Sequence, residues 1–286
     1  MGKDTFFRKK KTIRFRSKII EITKPLIMGI LNLTPDSFYD GGKYKSETEI
    51  VSRVKKLINE GAAIIDVGAV STRPGANIVS EEEEKNRLKP VLSILHREFP
   101  DTWFSVDTVR SGIAKMAVEE FGFYMINDIS AGNSDKNMFA EVANLNVPYL
   151  IMHIQGTPAN MQKNPAYSNV TQEILYFFSS RLNYLKQIGV NDILIDPGFG
   201  FGKTLTHNYT LLKELRTFDI LELPVVVGIS RKSMIFKLLE TTPEHALIGT
   251  TSVHTIALLN GADILRVHDV KQAAEAIKIV NFYQNC

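Results

Sequence analysis

Between residues 26 and 268, short apolar runs alternate eight times with longer amphipathic stretches, and this rhythm restricts the possible folds more than any other feature. The runs are 26–31, 63–68, 103–107, 124–129, 148–153, 193–196, 225–229 and 263–268. Most are apolar on consecutive positions and rich in Ile, Leu and Val. Strands covered on both faces read that way, which implies a parallel sheet. Helical patterns fall between and after them, at 46–60, 80–98, 111–121, 135–145, 169–188, 208–218, 243–259 and 270–282. Two open on capping-box spacings, Ser46 with Glu49 and Ser80 with Glu83. Gly61, Gly122, Gly189 and Gly261 follow helical runs as stops.

Eight strand–helix units in this length predict a (β/α)8 TIM barrel of the α/β class, with a doubly wound sheet as the alternative. No linker-like or low-complexity segment divides the chain. The expected organisation is one barrel domain over 25–286, preceded by a basic arm over 1–24. In the arm Ile13 and Phe15, then Ile20 and Ile22, alternate with polar residues, which predicts a short β-hairpin cap.

Charge and cysteine content narrow the partners. The net charge is +3, yet nine of the 34 Lys and Arg lie in residues 1–25 beside only Asp4 and Glu21. The rest of the chain is therefore net acidic, and the expected reading of the arm is a cap with its cations in water rather than a nucleic-acid site. The single cysteine, Cys286, excludes an intramolecular disulfide framework and a multi-thiolate metal site. No apolar run approaches the ~18 residues of a membrane span, and cations interrupt the start throughout, unlike a signal peptide. The expectation is a soluble cytoplasmic protein with no membrane partner.

Several familiar motifs fail. The stretch Gly198-Phe-Gly-Phe-Gly-Lys203-Thr204 resembles a phosphate loop, but Pro197 stands where the first P-loop glycine belongs. Lys203 likewise occupies the third glycine position of a dinucleotide fingerprint, leaving a tight loop over a flat ligand or a plain turn. Zinc-hydrolase histidine spacings and a G-x-S-x-G elbow are missing too.

A polar residue stands at or just beyond the C-terminal end of nearly every predicted strand: Asn32, Asp66, Asp107, Asn127, His153, Asp196, Lys232, and Arg266 with His268. Barrel active sites lie at that rim. Asp107, Asn127 and Asp196 are acceptor-rich groups in an apolar mouth and need donors, or their burial is costly. A heterocycle with paired N–H groups, such as a 2-amino-4-oxopyrimidine, supplies two parallel donors, with Asn127 and Lys232 available to its ring nitrogens and oxo group. Opposite them, Arg266, His268 and Asn32 form a set suited to phosphate, and the Asn32 oxygen suits Mg2+.

The residues at these positions resemble those of the dihydropteroate synthase family. The likeness runs over about 26–270 in eight blocks: MGILNLTPDSFYDGG (28–42), IIDVGAVSTRPGA (64–76), SVDT (105–108), INDIS (126–130), MHIQGTP (152–158), DPGFGFGK (196–203), GISRKSMI (228–235) and RVHDV (266–270). The resemblance implies condensation of 7,8-dihydropterin-6-ylmethyl diphosphate with 4-aminobenzoate, giving 7,8-dihydropteroate and diphosphate by a dissociative substitution. It implies Asp107, Asn127, Met152, Asp196, Phe201 and Lys232 around the pterin, with Asp107, Lys232 and Arg266 catalytic. Diphosphate falls to Asn32, Thr72, Arg266 and His268, with Mg2+ on Asn32. The aminobenzoate pocket falls to Phe38, Thr72, Arg73, Pro74 and Ser233, and loops 33–45 and 69–79 are expected to act as lids. A homodimer and inhibition by sulfonamides are further implications. Val70 departs from the family, many members having an acidic residue there. The nearest rival is a pterin-binding methyltransferase, which shares the barrel but needs neither a diphosphate site nor an arylamine pocket. A noncatalytic nucleic-acid-binding protein and a Schiff-base aldolase through Lys232 are the others.

Overall fold

The computed structural model describes residues 11–33, 39–40, 43–44, 47–70 and 79–286. Its centre is an eight-stranded parallel sheet made of β3 (Leu26–Asn32), β6 (Ile64–Gly68), β7 (Trp103–Asp107), β8 (Met125–Asp128), β9 (Tyr149–Met152), β10 (Ile193–Asp196), β11 (Val226–Val227) and β12 (Ile264–Val267). The ladder runs in chain order from β3 to β10, and β12 pairs with both β3 and β11. A parallel bridge between Ile195 and Val225 brings the last two edges together and rounds the sheet into a barrel. The doubly wound alternative is thereby excluded.

Helices α1 (Glu47–Asn59), α2 (Glu81–Glu98), α3 (Ser111–Phe121), α4 (Met138–Leu145), α5 (Val170–Gln187), α6 (Leu205–Lys213), α7 (Ser233–Phe236), α8 (Leu247–Leu259) and α9 (Val270–Gln284) form the outer layer. Their apolar faces bury residues such as Val54, Leu92, Ala117, Phe178 and Val280 against the outward strand positions. Ser80 caps α2 as its spacing predicts, accepting from the Glu83 amide at 3.1 Å. The Glu83 carboxylate pairs with Arg87, one turn along. Ser46 lies outside the described residues. Two predicted helices divide. The stretch 208–218 begins earlier, at a Thr204/His207 capping box, and tightens into a 3-10 turn over Leu215–Leu221. The stretch 243–259 opens as a 3-10 turn, Pro243–His245, before α8. Helix α7 is too short for its periodicity to be visible in sequence.

The N-terminal strands β1 (Thr12–Phe15) and β2 (Lys18–Glu21) form the expected antiparallel hairpin. A second small antiparallel pair joins β4 (Tyr39–Asp40) and β5 (Lys43–Tyr44). Ile13, 1% exposed, packs with Met28, Ile64, Trp103, Met125, Leu150, Leu194, Val226 and Ile264, and Phe15, Ile20 and Ile22 pack against that cluster. The hairpin thus plugs the N-terminal end of the barrel. Three of its described cations are paired with acids of the barrel, while Lys18 and Lys24 are exposed. Lys11 bridges Asp219 and Asp263, Arg14 reaches Asp192, and Arg16 reaches Asp101. The charge asymmetry of the sequence is complementary: a basic hairpin sits on acidic loops of a net-acidic barrel.

Candidate active site

Strand geometry builds the site from that apolar floor. Side chains alternate faces with a period of two, so the inward residue of each strand is followed two positions later by another. Above Ile64, Trp103, Met125, Leu150, Leu194 and Ile264 this places Asp66, Ser105, Asn127, Met152, Asp196 and Arg266. One step higher come Asn32, Gly68, Asp107 and His268. A polar layer therefore stands directly on an apolar one, at the C-terminal mouth. Gly68 leaves room in it: a Cβ there would lie 3.2 Å from the Asp107 Cβ.

Arg266 organises one side of the layer. Its Nε donates to Asp66 Oδ2 at 2.7 Å and its Nη2 to Asp107 Oδ2 at 2.6 Å. Asn127 Nδ2 donates to the same Asp66 oxygen at 2.9 Å. Asp66 is fully buried, and its other oxygen has no hydrogen-bond partner among the described residues. Burial first, then the charges of Asp66 and Glu84, push the Asp107 carboxyl up to about 7 against the pull of Arg266. Arg266, expected opposite Asp107, Asn127 and Asp196, touches Asp107 directly. The long guanidinium lies in the same layer as Asp66 and spans to Asp107, because two buried carboxylates need a shared cation.

Asp196 and Lys232 form the other side. Asp196 accepts from the Gly198 amide at 2.7 Å; burial raises its pKa, and Lys232 works against that. The Lys232 ammonium donates to the Phe199 carbonyl at 2.7 Å and stands 4.5 Å from the centre of the Phe201 ring, a cation–π contact. Burial lowers it to about 8. The buried Met152 lies beside Gly198, whose added Cβ would meet its side chain at 3.3 Å. Asp107, Asn127, Met152, Asp196, Phe201, Lys232 and Arg266 are thus brought to one mouth.

The remaining predicted residues divide. Asn32 ends β3, opposite Gly68 of β6. His268 follows β12, its amide donating to Ser230 Oγ at 3.3 Å and its carbonyl accepting from Arg53 at 3.3 Å. Ser233 is the first residue of α7, immediately after Lys232. Phe38, Thr72, Arg73 and Pro74 lie outside the described residues. His153 turns away from the mouth toward Lys203 and Phe177. Among the described residues no group of three or more His, Cys, Asp or Glu could hold a metal. The Asn32 side-chain oxygen is a hard donor, of the type that Mg2+ takes.

Sequence reasoning overlooked a buried network beside Asp107. Thr108 Oγ1 donates to Glu84 at 2.7 Å, and Arg110 pairs with the same carboxylate and donates to the Val79 carbonyl. Glu84 is hidden in sequence by the exposed acids Glu81–Glu83 around it; only its place on the buried stripe with Leu88, Val91 and Leu95 marks it. These residues line a cavity of about 410 Å³ that also includes Asp107, Ile129 and Ile154.

The model for the family described as "Pterin binding enzyme" matches residues 28–268. The chain is 43% identical over 263 residues to the dihydropteroate synthase of Escherichia coli (strain K12), covering 91% of this chain and 92% of that one. Solved structures give the same picture. The Yersinia pestis dihydropteroate synthase with a sulfonamide drug superposes with a TM-score of 0.90 at 40% identity, over 96% of this chain and all of that one. The Xanthomonas albilineans dihydropteroate synthase with 4-aminobenzoic acid superposes with a TM-score of 0.87 at 35% identity, over 97% of this chain and 100% of the other.

Proposed function

This chain belongs to the dihydropteroate synthase family of pterin-binding transferases in folate biosynthesis, and from that premise we propose its substrates and chemistry. The substrates are 7,8-dihydropterin-6-ylmethyl diphosphate and 4-aminobenzoate, and the products are 7,8-dihydropteroate and diphosphate. The observation that carries this reading is the buried polar layer of Asp107, Asn127 and Asp196 with Lys232 above the Phe201 ring. Paired carboxylate and amide acceptors suit the N–H edge of a pterin, and Met152 with Phe201 supplies apolar faces for its ring.

The C–O bond to diphosphate breaks first in this reading, leaving positive charge on the methylene carbon conjugated to the ring. The Asp107 carboxylate stabilises that charge electrostatically. Arg266, with His268, Thr72 and Asn32, receives the departing diphosphate. Mg2+ held by Asn32, when bound, supplies charge neutralisation for the leaving group. The neutral arylamine, held by Phe38, Thr72, Arg73, Pro74 and Ser233, then attacks the methylene carbon, and the resulting anilinium gives its proton to solvent. No covalent enzyme intermediate is required, and Lys232 acts as a donor and positive charge rather than as a Schiff-base former.

The aminobenzoate pocket is also the proposed site of sulfonamide binding. We further propose a homodimer. Ile248 and Ile256 of α8, Leu238 and Leu239 after α7, and Ile279, Phe282 and Tyr283 of α9 are large exposed apolar residues, and α8 packs on α9. No helix among the described residues is long and apolar enough to cross a membrane, and a cytoplasmic location is proposed. The deciding assay follows diphosphate release from the pterin diphosphate with and without 4-aminobenzoate and Mg2+. Sustained release that requires the pterin diphosphate, 4-aminobenzoate and Mg2+ supports the synthase, and a limited release without 4-aminobenzoate is what departure of diphosphate before attack predicts. No release in their presence refutes it.

A further inference from the structure

The 198–203 loop gives the site the Phe201 ring, the Gly198 amide on Asp196 and the Phe199 carbonyl on Lys232, yet it also holds a buried cation that the chemistry above does not use. Lys203 is 3% exposed. Its ammonium lies 2.9 Å from the Gly198 carbonyl, 2.9 Å from the Phe201 carbonyl, 3.1 Å from His153 Nδ1 and 3.4 Å from the His153 carbonyl. An ammonium has three protons to donate, and the three nearer acceptors match them. His153 accepts at Nδ1 in this arrangement, which assigns its ring proton to Nε2. Burial and the adjacent ammonium hold His153 down to about 2, so it stays neutral and able to accept. Burial lowers Lys203 itself to about 7; Asp196 opposes that shift and Lys232 adds to it.

The backbone around the ammonium is packed too closely for side chains. Gly198 and Gly202 both have positive φ, +74° and +63°. A Cβ at Gly198 would stand 1.9 Å from the His153 carbonyl, and one at Gly202 2.5 Å from the Gln155 carbonyl. Main chain therefore lies directly on main chain, and the lysine spans the contact. One end of its hydrogen-bond set is the carbonyl of Phe201. The other is the residue next to Met152.

We infer that Lys203 is a positioning residue for the flat-ring slot. Its buried ammonium folds the 198–203 loop and ties it to the end of β9, and so sets where the Phe201 ring stands relative to Met152. This inference rests on the pterin-binding reading and deepens it: the ring's place is decided by a lysine that does not touch the ring. It also explains why a glycine-rich, lysine-terminated loop need not bind phosphate. The lysine is spent on the loop's own carbonyls.

The test uses Lys203→Met and His153→Leu in the full chain. Two quantities are read: the Kd of plain pterin by ligand fluorescence, and steady-state kinetics of the synthase reaction. Lys203→Met is expected to raise both the pterin Kd and the KM for pterin diphosphate by at least about ten-fold, because binding must then also order the loop that the ammonium no longer ties. At saturating substrate kcat stays within about three-fold, because the reacting groups are untouched. His153→Leu removes one of the three acceptors and is expected to shift the same two quantities in the same direction by less. Unchanged pterin Kd and KM in folded variants overturn the inference, as does a fall in kcat with KM unmoved. Failure of both variants to fold by circular dichroism also overturns it, since Lys203 and His153 would then serve the fold and not the slot. A wild-type protein that neither binds pterin nor turns over refutes the pterin-binding reading itself, and the inference falls with it. Normal wild-type turnover with unshifted variants refutes the inference alone.

Discussion

Replacing Arg266 by Met tests the electrostatics of the mouth most directly. Arg266 is the shared cation between Asp66, which is fully buried, and Asp107, with contacts of 2.6–2.7 Å. Removing one partner of a buried, hydrogen-bonded ion pair costs about 3–5 kcal/mol, because the remaining charges are left uncompensated. That cost depends on pH in a known direction. Asp107 holds its proton up to about 7 in the native state, whereas an unfolded Asp releases it near ~3.9. Between those values the native state binds more protons, so this group's contribution to stability falls as pH rises. Arg266 opposes the upward shift, and without it the carboxyl is raised further. The window in which stability falls then extends upward, each added pKa unit being worth about 1.4 kcal/mol.

The expected deficit relative to wild type is therefore about 3–5 kcal/mol at pH 8 and about 1 kcal/mol smaller at pH 5.5, because only the interval above about 7 separates the two proteins. Urea unfolding followed by circular dichroism at both pH values, with m held common, measures it. Asp66→Asn in the Arg266→Met background removes the second charge and should recover at least half of the deficit at pH 8. A deficit that is equal at both pH values refutes the reasoning, and so does a double variant no more stable than the single.

Four further outcomes are expected. Asp107→Asn lowers kcat by at least about a hundred-fold if the carboxylate stabilises charge in the transition state, and wild-type steady-state kinetics in this variant contradict that role. Asn32→Ala raises the KM for pterin diphosphate and the Mg2+ concentration for half-maximal rate by about ten-fold, with aminobenzoate KM little changed; titrations of each component separate these effects. Sulfonamides inhibit competitively against 4-aminobenzoate, and an inhibition curve flat through about millimolar drug removes Phe38, Pro74 and Ser233 as its pocket. Ile13→Ala, which empties the centre of the hairpin plug, costs about 2–5 kcal/mol in urea unfolding, whereas a hairpin resting loosely on the barrel would lose far less.

What the chain alone determined follows from local rules. Hydrophobic runs on consecutive positions implied buried parallel strands, and their number implied the barrel. The Ser80 cap and the Gly122 stop are readable because capping is a contact between residues a few positions apart. The polar strand ends were visible for the same reason: each sits a fixed step beyond an apolar run. Partners were not visible. Arg266 meets Asp66 and Asp107 across separations of 200 and 159 residues, and Lys203 meets His153 across 50. A period of two says which face of a strand a residue occupies but not which group faces it across the barrel. The basic arm shows the same limit, since its cations and the acidic loops they reach are far apart in the chain. Only closing the sheet brought those charges within reach, and the cost of burying a charge unpaired then selected the pairs.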